Sequence, residues 1–435
     1  MGSLGIILCV GAVVFIMLGV PVAYAMTSAS ILTLIEKGTS LLVFPQRMFT
    51  SVNSFSLMAI LYFVVAGDLM MQGGISKRLI NLAKLAFGWL RGSLSIICFV
   101  TCAFFGAISG SGLATSAAIG GVMYPEMTKD NAYGKEYAAG MLAVGGTLGL
   151  MIPPSIPLIL YGTVTNTSIG DLFIGVICPG LLMMIIYLAT SQGIILKNNY
   201  APIEKKDKSI ERPPFAVRFK ETMKIVGEGV PALLSPVIIL GTIYGGICTP
   251  TESAIIACIY SALVGFFVYK ELNFKTFVRA IINSAETSAV IMFLIAAANV
   301  FGWVMTSINL TTKITTALLE LCTSKVMFLL IVNFFYLLCG MLMETGTTIL
   351  LTVPLLFPVA SAFGINPVHF GIITNINLAV GLFTPPFGTG VFLMAGKYNL
   401  SVGSVFKKCI PFICSAIIGI LIITFLEPLS TILLK

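Results

Sequence analysis

Long apolar stretches without charge constrain the fold of this chain more than any other feature of its sequence. Charged residues make up 10% of the 435 residues, against 57% apolar ones, and they are almost absent from residues 4–35, 55–71, 172–196 and 230–268. Stretches of this length and composition are typical of helices that cross the hydrocarbon core of a bilayer. We therefore predict an all-α polytopic membrane protein with about ten helical crossings.

The second half of the chain repeats the first at a displacement of about 230 residues, a pattern that indicates internal duplication. Five pairs of landmarks keep their order and spacing in the two halves. They are Pro21 with Pro250, Gly112 with Gly346, Pro125 with Pro358, residues 149–154 with 381–386, and Pro179 with Pro411.

Each half is predicted to contain two helices joined at the first landmark proline, a third helix, an amphipathic segment, a Gly-rich re-entrant hairpin, a helix broken at a proline pair, and a last helix. This gives five crossings per half, and an odd number inverts the second repeat relative to the first. The first repeat covers 1–197, with its hairpin at about 93–125 and its broken helix at about 136–163. A cytoplasmic linker covers 198–228, and the second, inverted repeat covers 229–435, with its hairpin at about 324–362 and its broken helix at about 369–397.

The basic residues support this topology, because cytoplasmic loops of membrane proteins are enriched in Lys and Arg. With the N-terminus outside, 20 of the 25 Lys and Arg residues fall in predicted inner loops, so both termini are expected to face the periplasm or exterior. One long tilted helix at 4–35 would reverse this parity and stays open as the alternative. The amphipathic segments, 75–89 and 310–322, are expected to lie along opposite membrane faces.

Backbone interruptions at membrane depth are the candidate sites, because they are tolerated only inside the protein or beside a cavity. Glycines and proline pairs free backbone carbonyl oxygens there, Ser and Thr add hydroxyl oxygens, and a hard cation such as Na⁺ binds oxygens. The same residue types also serve close packing. The first predicted Na⁺ site comprises Ser109, Gly110, Ser111, Gly112, Gly149, Ile152 and Pro153, and the second comprises Thr345, Gly346, Thr347, Thr348, Gly381, Thr384 and Pro385.

An anionic substrate is expected at the same breaks, where the free N–H groups of half-helix N-termini favour negative charge. The substrate-binding candidates are Ser111, Ser116, Pro154, Ser155, Glu344, Thr347, Gly388 and Thr389. Glu344 lies at a predicted hairpin tip, whereas Asp68 and Glu252 lie near helix ends, where they are capped, solvated or functional. His369 is expected to pack or to cap a helix, and the ten cysteines are expected to be buried thiols.

Several classes of function are disfavoured by the sequence. It contains no nucleophile–base pairing, no metal-binding cluster and no nucleotide-binding loop, which argues against an enzyme and against an organic cofactor. The basic residues lack aromatic interleaving, which argues against nucleic acid as a partner. A channel, or a membrane scaffold whose breaks serve packing, is the alternative from a different class, and a channel would conduct without saturation or coupling.

Four motifs occur in order along the chain: Ser109-Gly-Ser-Gly112, Ile152-Pro-Pro-Ser-Ile156, Thr249-Pro-Thr-Glu-Ser253 and Asn366-Pro-Val-His-Phe-Gly371. With residues 377–386 they span most of its length. In these motifs the chain resembles the large, DctM-like membrane subunit of the tripartite ATP-independent periplasmic (TRAP) transporters, which belong to the ion-transporter superfamily.

This resemblance implies a bacterial inner-membrane importer, coupled to two or more Na⁺ ions, for a small organic acid such as sialic acid or a C4-dicarboxylate. It implies two partners, a small four-helix membrane subunit and a periplasmic substrate-binding protein, besides the lipid bilayer. It also implies an elevator-type motion of the hairpins and broken helices against a scaffold. A stand-alone Na⁺/dicarboxylate symporter of the same superfamily, which needs no binding protein, is the alternative carrier.

Overall fold

The structure is a computed structural model that describes residues 3–129, 132–198, 200 and 215–434, with the backbone only at 215–221. These residues form twenty-two α-helices, and no β-strand occurs among them. Nine of the described helical segments are long and apolar enough to cross a membrane, and three shorter helices are also apolar. The predicted all-α polytopic membrane fold is therefore confirmed.

The helices of the first half are α1 Ser3–Met17, α2 Val22–Glu36, α3 Val43–Val52, α4 Phe55–Gln72, α5 Ile75–Phe87, α6 Ser93–Ser109, α7 Gly112–Thr128, α8 Lys135–Gly146, α9 Leu148–Met151, α10 Ile156–Thr165, α11 Ile169–Gly175 and α12 Ile177–Asn198. Those of the second half are α13 Phe215–Tyr244, α14 Pro250–Leu263, α15 Phe274–Ser307, α16 Leu310–Leu321, α17 Lys325–Leu342, α18 Thr345–Ala362, α19 Pro367–Gly381, α20 Thr389–Lys397, α21 Val402–Phe425 and α22 Pro428–Thr431. A single π-helical turn, Val264–Val268, extends α14.

The first apolar stretch is two helices and not one. α1 ends at Met17, Gly19 has a φ of +83°, and Pro21 immediately precedes α2. A positive φ suits glycine, and the proline ring cannot continue a preceding helix. The single tilted helix considered for residues 4–35 is therefore wrong.

Helix bounds in the two halves recur at a constant displacement. The hairpin α6–α7 begins at Ser93 and the hairpin α17–α18 at Lys325, a shift of 232 residues. The broken helices begin at Lys135 and Pro367, with the same shift. The inverted orientation of the second half stays a prediction.

The predicted linker contains the start of a helix. α13 begins at Phe215, so residues 215–228 lead directly into the membrane-length helix. Residues 199 and 201–214 of the predicted linker lie outside the described residues.

The helices can be divided into two groups that also pack on each other, with α5 on α6 and α16 on α18 at their boundary. We call α6–α12 with α17–α22 the inner bundle, in which α7 packs on α8, α10 on α18, α12 on α21 and α17 on α19. We call α1–α5 with α13–α16 the outer bundle, in which α4 packs on α14 and α15, and α2 on α1 and α15. Both hairpins and both broken helices belong to the inner bundle, so the predicted sites lie among its helices.

Candidate ion and substrate site

The first hairpin tip is a tight turn between α6 and α7. Gly110 ends α6 with a φ of +61°, a left-handed conformation that glycine adopts without steric cost. Ser111 caps α7, because its hydroxyl oxygen accepts a hydrogen bond from the Ala114 N–H at 3.4 Å. The tip residues Ser109 and Ser111 are thereby held on either side of one glycine.

Three oxygen atoms converge at this tip. The Thr115 hydroxyl lies 2.7 Å from the Ser111 carbonyl oxygen and 3.0 Å from the Ser109 hydroxyl. The Ser109 hydroxyl lies 3.4 Å from the same carbonyl oxygen. We call Ser109 Oγ, Ser111 O and Thr115 Oγ1 the oxygen triangle. Neutral oxygens grouped in this way can coordinate a hard cation together.

The first broken helix closes on this tip. The Ile156 N–H, at the start of α10, donates to the Gly110 carbonyl oxygen at 3.4 Å. On the other side of the break, Gly149 faces the oxygen triangle: a methyl group there would lie 2.5 Å from Thr115 Oγ1 and 2.8 Å from the Ser111 carbonyl oxygen. The absence of a side chain at residue 149 therefore allows the hairpin and the break to meet.

The first break itself is buried. Pro153, Pro154 and Ser155 are buried, and the peptide bond between the two prolines is cis. The Ser155 hydroxyl has no hydrogen-bond partner among the described residues. Because buried hydroxyls normally have a partner, Ser155 is a group to which a bound ligand can hydrogen-bond.

The second hairpin tip uses a carboxylate where the first uses a hydroxyl. Glu344 caps α18, and its Oε2 accepts from the Thr347 N–H at 3.0 Å and from the Thr347 hydroxyl at 3.3 Å. The Thr348 hydroxyl donates to the Glu344 carbonyl oxygen at 3.0 Å. This bond matches that of Thr115 to Ser111, 233 residues earlier. Thr345 and Gly346 are buried beside them.

A glycine pair joins hairpin to broken helix in both halves. A methyl group on Gly106 would lie 2.5 Å from Gly149 Cα, and one on Gly340 would lie 3.2 Å from Gly381 Cα. In each half the first arm of the hairpin therefore packs backbone against backbone on the broken helix.

The second break is exposed at the protein surface, whereas the first break is buried. Residues 385–387 are exposed, and Phe387 has 57% of its surface accessible. Thr384 donates to the Val380 carbonyl oxygen of its own helix at 2.7 Å, Gly388 packs within the turn, and Thr389 is exposed. Among the described residues no hydrogen bond joins this break to the second tip. The residues predicted for the second Na⁺ site are thus split between a buried tip and an open break.

Each tip also contacts the broken helix of the other half. A methyl group on Gly112 would lie 3.3 Å from the Leu382 side chain, which belongs to the second break. One on Gly346 would lie 3.0 Å from the Leu160 side chain in α10. The two candidate sites therefore share one region of the inner bundle.

Ser116 and His369, which the sequence also singled out, have hydrogen-bond partners within the fold. The Ser116 hydroxyl donates to the Leu142 carbonyl oxygen at 3.2 Å, within the packing of α7 on α8. His369 is buried, with Nδ1 3.0 Å from the Ser430 hydroxyl and Nε2 3.2 Å from the Thr424 carbonyl oxygen. The expectation that His369 packs inside the fold is confirmed.

The two other acids that the sequence places near helix ends, Glu252 and Asp68, also form hydrogen bonds within the fold. Glu252 forms a capping box with Thr249, whose N–H and hydroxyl both donate to Glu252 Oε2 at 2.8 Å. Asp68 accepts a hydrogen bond from Ser284 at 2.6 Å, across the outer bundle. All ten cysteines are free. The prediction of buried thiols is confirmed for Cys98, Cys102, Cys322 and Cys409; five others are only partly buried, and the prediction is wrong for Cys414, which lies on an outward face of α21.

The sequence predictions missed two residues of this region. Thr115 was left out of the first site, although the repeat places it opposite Thr348. Asn375 was also missed: its amide nitrogen donates to the Leu150 carbonyl oxygen at 2.7 Å, and its buried amide oxygen has no partner among the described residues. The repeat does not reveal Asn375, because the equivalent residue is Ala143.

Comparison with known proteins identifies the family. The family model described as "Tripartite ATP-independent periplasmic transporter, DctM component" matches residues 9–429. A C4-dicarboxylate TRAP transporter large permease protein, DctM, of Vibrio cholerae is 35% identical, over 95% of this chain and 93% of that one. A sialic acid TRAP transporter large permease protein, SiaM, of the same species is 32% identical, over 90% of each chain.

A longer relative matches as well. The isethionate TRAP transporter permease protein DctMQ of Oleidesulfovibrio alaskensis is 39% identical over 94% of this chain, which spans only 63% of that protein. Among solved structures, the Alcanivorax borkumensis YdaH transporter has a TM-score of 0.65, with 14% identity over 89% of this chain and 88% of that one. At that identity the likeness shows the fold alone.

The match of one family model to nearly the whole chain agrees with relatives at 32–39% identity that are named as transporter permeases. The protein is a multi-pass transporter component and not an enzyme. The chain belongs to the DctM component family of the tripartite ATP-independent periplasmic transporters.

Proposed function

We propose that this chain is the transport subunit of a Na⁺-driven importer of small organic acids. One observation carries the proposal: the oxygen triangle of the first hairpin tip is held against Gly149 and hydrogen-bonded to the start of α10. This arrangement collects neutral oxygens at a double interruption of membrane helices, where a coupling ion is typically bound.

The chemistry of these oxygens favours Na⁺ over a transition metal. Within the described residues no group of three or more His, Cys, Asp or Glu side chains could hold a metal ion. Hydroxyl and carbonyl oxygens suit a hard cation of low charge. A second ion is proposed at Thr345, Thr348 and the Glu344 carbonyl oxygen, and its site would be completed when the second break closes on that tip.

The substrate is proposed to bind at the start of α10. There the unpartnered Ser155 hydroxyl lies beside Ile156, which bonds to the first tip, while Leu160 contacts the second tip. The Ile156 N–H already donates to Gly110 and Pro157 has no N–H, so the Ser155 hydroxyl is the group proposed to donate a hydrogen bond to an anion. The relatives are named for C4-dicarboxylate, sialic acid and isethionate transport, and all three substrates are anions.

Two partners are proposed, a small four-helix membrane subunit and a periplasmic substrate-binding protein. Two relatives support the first: the chain spans only 63% of the isethionate permease protein DctMQ and 66% of a sialic acid TRAP transporter permease protein, SiaT, of Haemophilus influenzae. The remaining part of such relatives would correspond to a separate small subunit here. We place the complex in the bacterial inner membrane, with both termini of this chain in the periplasm and with the hairpins and broken helices moving as an elevator against the remaining helices.

Uptake into proteoliposomes tests this function. The chain, reconstituted with candidate small subunits and binding proteins, should accumulate a radiolabelled carboxylate or sulfonate when Na⁺ is outside, without ATP. Replacement of Na⁺ by K⁺ should abolish accumulation. Equal uptake in K⁺ would overturn the coupling, and full uptake without any binding protein would favour a stand-alone symporter.

A further inference from the structure

A cavity of about 410 Å³ lies between α8, α12 and α21, away from the hairpin tips. Its lining includes three lysines, Lys197, Lys407 and Lys408, and two tyrosines, Tyr137 and Tyr200, and none of the described lining residues is a carboxylate. None of the three lysines forms an ion pair with a residue in the part of the chain that the structure describes. The cavity therefore carries a concentrated positive charge, which an anion would neutralise.

The walls of this cavity are fixed by the fold. The rings of Tyr137 and Tyr200 stack with their centroids 5.4 Å apart, and the Tyr137 hydroxyl lies 3.0 Å from that of Ser191. The Tyr200 N–H donates to the Ile195 carbonyl oxygen at 3.1 Å, which turns the chain back over the end of α12. Contacts within the chain therefore hold the walls of the cavity in place.

The surroundings of the cavity indicate that its ligand is an amphiphile. Lys197 lies in the last turn of α12, and Lys407 and Lys408 lie near the start of α21, so all three occupy the ends of membrane helices. Their sequence neighbours Leu196 and Ile410 are apolar side chains with 55% and 51% of their surface exposed. Positive charge inside the cavity therefore adjoins an apolar outer surface.

We propose that this cavity binds the phosphate headgroup of an anionic phospholipid, with Lys197, Lys407 and Lys408 around the phosphate. The acyl chains lie along the exposed apolar faces of α12 and α21. Basic pockets between membrane helices on the cytoplasmic side suit such headgroups. A zwitterionic lipid is disfavoured, because its ammonium group would add a fourth positive charge beside three lysines.

Titration of the detergent-purified full chain with lipid, followed by native mass spectrometry, tests the proposal. The probes are phosphatidylglycerol, phosphatidylethanolamine and free glycerol 3-phosphate. The wild-type chain should bind phosphatidylglycerol about tenfold more tightly than phosphatidylethanolamine. The variant Lys197→Gln/Lys407→Gln/Lys408→Gln should lose this preference, and the corresponding triple Lys→Arg variant should keep it.

Two further variants distinguish lipid binding in the cavity from attraction of the lipid to surface charge in general. The control Lys77→Gln/Lys129→Gln/Lys275→Gln removes three exposed lysines that do not line the cavity, and it should keep the preference. Gly193 lines the cavity, and a methyl group there would meet no atom within 4 Å, so Gly193→Phe should fill the space without disturbing α12. Gly193→Phe should therefore weaken phosphatidylglycerol binding although all three lysines remain.

Three results would overturn the assignment. The first is a wild-type chain without preference for phosphatidylglycerol. The second is equal loss of preference in the control and cavity triple variants, which would indicate bulk charge. The third is displacement of the lipid by glycerol 3-phosphate at equal concentration, which would identify a site for a free phosphate compound.

Discussion

Thr115 holds the carbonyl oxygen of Ser111 at the first hairpin tip, and Thr348 holds that of Glu344 at the second. We predict that Thr115→Val keeps the volume of the side chain but removes one proposed ion ligand. A lost buried polar partner costs about 1–3 kcal/mol, which corresponds to about a 5- to 150-fold increase in the Na⁺ concentration for half-maximal uptake.

Thr163→Val is the matched control, since the Thr163 hydroxyl makes an ordinary bond to the Ile159 carbonyl oxygen within α10. Its Na⁺ dependence should equal that of the wild type. Ser111→Ala is a less clean test than Thr115→Val, because the Ser111 hydroxyl also caps α7. Unchanged Na⁺ dependence in Thr115→Val would exclude the Thr115 hydroxyl as an ion ligand and leave only the Ser109 hydroxyl and the Ser111 carbonyl oxygen of the oxygen triangle.

The role of Glu344 as a helix cap can be tested by measuring the thermal stability of two variants. Glu344→Ala removes the acceptor of the Thr347 N–H and should destabilise the protein by about 0.5–2 kcal/mol, whereas Glu344→Gln retains an amide oxygen that can accept. Thermal unfolding in detergent should show a lower Tm for the alanine variant only. Loss of uptake in Glu344→Gln at an unchanged Tm would instead assign the charge to transport.

At the residue scale the sequence predicted where the helix interruptions lie better than it predicted which hydrogen bonds their side chains form. The interruption at 109–112 follows from the repeat, because a glycine-containing interruption recurs at 344–348, although the Ser-Gly-Ser-Gly sequence itself is not repeated there. The capping bonds of Ser111 and Glu344 are set by local backbone geometry, which a motif does not contain. The Asn375 bond to Leu150 joins residues 225 positions apart, and only tertiary packing reveals it.

At the scale of helices, the glycine contacts decide whether hairpin and broken helix can meet. A methyl group on Gly149 would lie within 2.8 Å of two atoms of the oxygen triangle, so Gly149→Ala should push α9 away from the tip. We predict normal membrane insertion with uptake reduced at least about tenfold, since a small displacement of a bound-ion site costs orders of magnitude in rate.

Gly396→Ala is the matched control for this substitution. It lies in the other broken helix, and a methyl group on Gly396 would meet no atom within 4 Å. Its uptake should equal that of the wild type, because alanine also favours helix formation. If Gly149→Ala transported as fast as Gly396→Ala, the close approach of α9 and the hairpin would have no part in ion binding.

Helices with a strong apolar or amphipathic pattern were predictable, whereas short ones were not. The amphipathic pattern at 75–89 predicted α5, which ends at Phe87. α3 was missed although Phe44 and Met48, four residues apart, pack against the core, because the helix is only ten residues long and contains Pro45. Pro125 and Pro358 were useful landmarks of the repeat, yet both lie inside helices, because neighbouring helices can satisfy the freed backbone groups.

At the scale of the whole molecule, the two breaks differ in exposure although they are equivalent in the repeat. Ser155 is fully buried and Phe387 is 57% exposed, and the two positions are 232 residues apart. If the second half is inverted, the two breaks open to opposite membrane faces. Alternating access would then expose position 155 when position 387 becomes buried.

Single cysteines at these positions test this exchange. In a cysteine-free background, Phe387→Cys should react with an impermeant maleimide from one side of the membrane. Ser155→Cys should react only from the other side, in the conditions that protect Phe387→Cys. Labelling of both positions from the same side would contradict the inverted repeat.

Direct binding of Na⁺ to the purified chain tests the central claim, that the first hairpin tip and the first break together form an ion site. Equilibrium binding of radiolabelled Na⁺ should be saturable in the wild type and in Gly396→Ala, and clearly weaker in Thr115→Val and Gly149→Ala. Absence of saturable binding in the wild type, or equal affinity in all four proteins, would contradict this account.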